Sequence, residues 1–211
     1  MKNIAYSVDP SVQTDLFVCQ FGEEACSPSY AFGPHTRDHV LIHFVASGCG
    51  VLYCDGQAYP VASGQGFLIL PGEETLYQAD SVTPWHYAWV GYRGSQAESL
   101  TRSAGLSEHH RVFTATDPAK AWNALTLMQE DARSLRLIQM AVAGDLLRFL
   151  SLIAPAQGTT AASPAQQPQQ ALRRHIVKRR CGIWRGDMTG MFPYRRLRIL
   201  WASAVPTCTG S

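Results

Sequence analysis

The chain has 211 residues, 46% hydrophobic and 16% charged, with a formal net charge of +2. This composition suits one ordinary globular domain plus appendages and excludes a wholly disordered chain. No segment approaches the roughly 18 uninterrupted apolar residues of a bilayer-spanning helix, and residues 1–20 hold no apolar run of signal-peptide length, so a soluble cytoplasmic protein is expected.

The small net charge hides an asymmetry. Nine Lys and Arg stand against fifteen Asp and Glu before Ala171, giving −6, and nine against one from there on, giving +8: an acidic body precedes a basic tail. Six cysteines (Cys19, Cys26, Cys49, Cys54, Cys181 and Cys208) form no CxxC pair and no Cys/His zinc spacing, so they read as reduced thiols. Cys49 and Cys54 flank a short apolar run, which places a redox pair beside the plainer reading of small buried thiols.

Residues 1–32 are irregular, carry a strand pattern over 16–21, and read as an N-terminal arm. Residues 33–94 hold short apolar runs at 40–45, 51–53, 67–70 and 87–90, separated by Gly, Asp and Pro at the spacing of a small antiparallel sandwich or barrel. Gly33-Pro34 predicts a turn, after which His39, Leu41, His43 and Val45 share one strand face and Val40, Ile42 and Phe44 the other. The first face is half polar, a composition suited to lining a cavity.

Gly48-Cys49-Gly50 and Asp55-Gly56 are tight-turn chemistry, the latter a hairpin signal because both of its residues tolerate positive φ. The wholly apolar 67–70, ended by Pro71-Gly72, predicts a central buried strand. Aromatic residues then crowd together at Tyr77, Trp85, Tyr87, Trp89 and Tyr92, and alternation puts Trp85, Tyr87 and Trp89 on one face and His86 and Ala88 on the other. Three rings on one face either close a core or form a sugar site, since flat rings with polar edges match the C–H face and hydroxyls of a pyranose.

The period changes from two to about 3.6 after Gly94. A short helix is expected over 95–104, and a longer one starts at Asp117-Pro118 with Ala121, Trp122, Leu125 and Met128 at helical spacing. A further helix over 134–153 carries Leu135, Ile138, Val142, Leu146, Phe149 and Ile153 on one stripe, a seam for its own barrel or for a partner chain. Residues 154–170, rich in Pro, Gln, Ala and Thr, form a linker, and 171–211 form a basic tail.

The segment GQGFLILPGEE with its following tyrosine, and then PWHYAWVGY, resembles the effector-binding domain of AraC-type transcriptional regulators, particularly those that sense sugars. The resemblance spans about residues 1–170. It implies a mainly β fold with C-terminal helices, namely a cupin-like double-stranded β-barrel (33–94) followed by a helical dimerisation hairpin (95–153). It implies a sugar held inside the barrel by Tyr77, Tyr87 and Trp89, with Arg37 before the first barrel strand as a further contact. It also implies a homodimer and, in the intact family, a DNA-binding domain beyond the linker.

No cofactor and no catalytic residue are expected. Cupin enzymes are the competing class; their metal site uses an HxH pair, a carboxylate and a later histidine. Here His39 and His43 are four apart and the later position falls on Thr75, so no metal is expected and the histidines read as hydrogen-bonded core or pocket groups. A metal-independent cupin enzyme acting on a sugar is the alternative.

The tail shows no helix-turn-helix pattern, and its Arg and Lys clusters suit phosphate contact without sequence reading. A reading frame starting one base earlier permits WHLERGYDR from CGIWRGDMT and VGLSRSYLYR from WASAVPTCTG, stretches that resemble two helices of the family's DNA-binding domain in the right order. The tail is therefore expected to be either a disordered basic arm or an out-of-frame product.

Overall fold

The computed structural model describes residues 3–7, 15–134 and 138–154. The linker and tail expectations lie outside these residues.

Ten strands and three helices follow one another in the described residues: β1 (Asn3–Ser7), β2 (Phe17–Ala25), β3 (Ala31–Thr36), β4 (Val40–Ser47), β5 (Cys49–Cys54), β6 (Gln57–Ala62), β7 (Gln65–Ile69), β8 (Glu74–Ala79), β9 (His86–Arg93), α1 (Ala97–Ser103), β10 (Val112–Thr114), α2 (Pro118–Ser134) and α3 (Ile138–Ile153). They build two antiparallel sheets, ordered β1-β2-β9-β4-β7-β10 and β3-β8-β5-β6. The expected mainly β fold with C-terminal helices is present, in sandwich form: no ladder joins the two sheets among the described residues. Both edge strands of the smaller sheet carry a proline, Pro34 in β3 and Pro60 in β6, which has no N–H to donate to a further ladder.

The sheets reach beyond residues 33–94. β2, far from being a loose arm, is an interior strand paired along its length with β9, and β10 comes from the stretch read as helical and pairs with β7. Sequence periodicity stops at Phe21 because Glu23 and Glu24 follow. In the fold these acids bond His86 and Tyr87 of β9, at 2.9 and 3.2 Å. β7 is interior rather than central, with only β10 beyond it.

Gly33-Pro34 is no turn between strands. It lies inside β3, where the register with β8 shifts between Phe32 and His35, an irregularity that an edge strand tolerates. Asp55-Gly56 does form the predicted two-residue hairpin, with φ of 50° and 69° in turn. Cys49 and Cys54 are at opposite ends of β5, about 16 Å apart at the rise of an extended strand, and are therefore not a redox pair.

Alternation divides the larger sheet into two faces with different partners. Val40, Ile42, Phe44, Ala88, Val90 and Tyr92 join a core with Leu125 and Met128 of α2 and with Val142, Leu146, Phe149 and Ile153 of α3. The α3 stripe thus packs on its own sheet, Phe149 lying edge-on to Phe44 at 6.3 Å and to Phe113 at 6.3 Å. Of the two partners expected for this stripe, its own sheet takes the buried members. Leu41, Val45, Phe67, Ile69 and Tyr87 face the smaller sheet in a second core.

Polar clasps hold the helices to β2. The Gln139 side chain accepts from Val18 N (3.3 Å) and donates to Val18 O (3.1 Å), beside a register shift in β2. Gln129 donates to Glu23 (3.3 Å), which also bonds His86. Among the described residues no helix is long and apolar enough to cross a membrane.

Candidate functional site

The space between the sheets differs chemically from the space under the helices. Cross-strand register lines up Gly22, Trp89, His43 and Phe67 on neighbouring strands β2, β9, β4 and β7. Gly22 places no side chain beside the Trp89 indole, while His43 stands at the middle of the line. Its imidazole stacks on Phe67 at 4.5 Å, meets Tyr87 edge-on at 4.9 Å and lies 6.2 Å from Trp89. From the facing sheet Tyr77 comes to 4.9 Å of the same imidazole.

Tyr77 is itself stacked on Phe32 at 5.5 Å, and the Arg37 guanidinium lies 5.1 Å from the Phe32 ring centre. The Arg37 carbonyl accepts from Gly72 N at 2.8 Å, which ties the residue to the Pro71-Gly72 turn. Of the four sequence-predicted residues, Tyr77, Tyr87 and Trp89 surround one histidine, and Arg37 joins the group through Phe32. Trp85 continues the aromatic wall, seated on Gly50, where a Cβ would come within 2.6 Å of the indole. Trp85 and Tyr87 are buried, and Trp89 is half-buried.

Unpaired polar atoms concentrate here. Arg37 Nη1, His43 Nδ1, Thr75 Oγ1 and Trp85 Nε1 are buried without a hydrogen-bond partner. Burial, helped by the Arg37 charge, holds the His43 pKa well below its ordinary value. Burial also pushes the Tyr77 and Tyr87 hydroxyls up. The imidazole and both phenols are neutral at physiological pH, and Tyr87 donates to Glu24. Such a lining, rings interrupted by a few neutral donors and acceptors beside the Arg37 guanidinium, suits a hydroxylated molecule.

The two strand histidines have different fates. His39 is hydrogen-bonded as expected, to Asp38 at 2.7 Å and Gln20 at 2.6 Å, whereas His43 leaves one nitrogen unpaired. Glu24, Thr75 and Phe32 were not legible as site residues. Half-polar alternation did mark the His43 face, but nothing local shows which rings a distant strand delivers to it.

Two other regions are weaker candidates. A surface cavity of about 690 Å³ lies between the start of β4, the end of β9 and α1. Its charged lining is already paired internally, Asp38 with His39 and Arg93, Glu98 with Arg102, and Glu108 with His109. Cys54, Asp55 and Glu73 bring potential ligand atoms within 4.8 Å of one another. However, the buried Arg111 guanidinium occupies the place of a cation there, bonding Glu73 at 2.7 and 2.8 Å and Asp55 at 3.3 Å.

Two antiparallel sheets with an aromatic, sparsely polar interior, backed by a helix pair, form a β-sandwich whose interior could hold a ligand. The chain belongs to the AraC-like ligand binding domain family, whose model matches residues 17–147. It is 31% identical over 140 residues to the Msm operon regulatory protein of Streptococcus mutans, covering 66% of this chain and 50% of that protein. It is 34% identical over 91 residues to the raffinose operon transcriptional regulatory protein RafR of Pediococcus pentosaceus, covering 42% and 33%. The chain thus spans half or less of the length of these relatives. Among solved structures, the AraC-like transcriptional activator CuxR superposes with a TM-score of 0.47 at 16% identity, over 77% of this chain and 59% of that one.

Proposed function

We propose that this chain is the effector-sensing and dimerisation module of an AraC-type transcription regulator, binding a neutral mono- or oligosaccharide between its sheets without converting it. The observation that carries this is the contrast between the two faces of the larger sheet: apolar under the helices, aromatic with buried unpaired polar atoms toward the smaller sheet. In this reading the half-buried Trp89 covers the C–H face of a sugar ring, Tyr77 and Tyr87 meet its hydroxyls, and Arg37 makes forked hydrogen bonds from the rim. The raffinose operon named for one relative supports a saccharide as the effector.

Calorimetry against a saccharide panel tests this. Trp89→Ala and Tyr77→Ala are expected to weaken binding by about tenfold or more while circular dichroism shows the fold retained. Conversion of the bound sugar to a product would overturn the reading.

Dimerisation, in the same reading, uses the outward side of the helix pair. Met140 (73% exposed) and Leu147 (44%) lie seven residues apart on α3, and Leu127 (40%) is exposed on α2. These are apolar side chains that a second copy covers.

A further inference from the structure

A histidine that served only to fill the interior could be replaced by phenylalanine, whose ring stacks on Phe67 equally well and carries no polar atom to satisfy. His43 is instead 1% exposed with Nδ1 unpaired. On β8 of the smaller sheet, Thr75 is 2% exposed with Oγ1 unpaired. Thr75 and Tyr77 share the inward face of β8, and Tyr77 lies 4.9 Å from the His43 ring, so both unpaired groups face the gap between the two sheets. Leaving such groups unpaired is costly unless something outside the chain meets them.

We propose that His43 and Thr75, one from each sheet, form the hydrogen-bonding pair that orients the ligand, with His43 the residue that discriminates among hydroxylated ligands; this rests on the reading that a sugar enters between the sheets. A neutral imidazole offers one acceptor and one donor nitrogen, and a threonine hydroxyl both donates and accepts. Each complements a ligand hydroxyl, which also does both. A site built on such groups rejects the analogue lacking the matching hydroxyl, because its own polar atoms are then stranded.

Calorimetry with raffinose, lactose, galactose, glucose and fructose on wild type, His43→Phe, His43→Gln and Thr75→Val tests the pair, with melting curves to score folding. For the sugar that binds wild type, His43→Phe is expected to lose about tenfold or more in affinity, with part recovered in His43→Gln and a smaller loss in Thr75→Val. The ring ¹⁵N resonances of His43 in wild type are expected to move on saturation with that sugar, a readout that a space-filling histidine does not give and that stands even if His43→Phe fails to fold. Binding by wild type with unmoved His43 nitrogens and unchanged affinity in Thr75→Val overturns this pairing while leaving the sugar site in place. No binding of any of these sugars by wild type overturns the site reading and this inference with it.

Discussion

Asp145 carries one carboxylate oxygen, Oδ2, that is buried and unpaired. Burial first and the Asp131 charge second raise its pKa above the ordinary value, with Arg148 opposing. An acid whose folded pKa is raised binds its proton more readily folded than unfolded, so its charge subtracts stability above that pKa, and the penalty is relieved as pH falls through it. Asp145→Asn should therefore raise the melting temperature at neutral pH, with the gain shrinking as the solution is acidified. A gain independent of pH would show that charge is not the cause. Arg111 behaves oppositely: its bonds to Glu73 hold the guanidinium charged, and its side chain is buried. Arg111→Met strands a largely buried carboxylate, at a cost of about 3 kcal/mol, and Glu73→Gln in the same chain should restore most of it in urea titrations.

The two sides of the α2 and α3 pair have different expected sensitivities. Leu146 and Phe149 are buried against the larger sheet, so a charged residue at either position places an unpaired charge in the core, and loss of folded protein is expected. Met140→Asp combined with Leu147→Asp acts on the opposite, exposed side and should leave the fold intact. If the outward side is the dimer surface, sedimentation will report folded monomers for this double variant. A folded dimer indistinguishable from wild type would place the partner surface elsewhere. β2 carries polar links to both compartments, since Glu24 bonds Tyr87 between the sheets while Glu23 and Val18 are clasped by Gln129 and Gln139 of the helices.

For the whole molecule, the charge asymmetry separates an acidic body from a basic tail. Pro193, Pro206 and the scattered glycines separate the tail's short apolar runs, none of which spans a DNA-reading helix pair. The full chain is therefore expected to bind DNA weakly, without sequence preference, and less as salt rises. A gel-shift against a version ending at Gln170 checks this, and tight sequence-selective binding by the full chain would show a genuine reader. Shifting the frame one base earlier within the linker is expected to create such a reader.

What the sequence by itself determined is what local geometry dictates. Period-two alternation sorted Leu41 and His43 from Ile42 and Phe44, and Tyr87 and Trp89 from Ala88, because successive side chains of a strand must point to opposite faces. The Asp55-Gly56 hairpin was equally local, since two consecutive positive φ values need such residues. Only the tertiary structure decided which face met which neighbour. The α3 stripe was legible as apolar, but whether a sheet or a second chain covers it depends on residues far away in sequence. Likewise His43 was visible as one of two histidines on a half-polar strand face. Its enclosure by Phe67, Tyr77, Tyr87 and Trp89 arises from long-range register, in which β4 is flanked by β7 and β9 and β8 faces them from the other sheet.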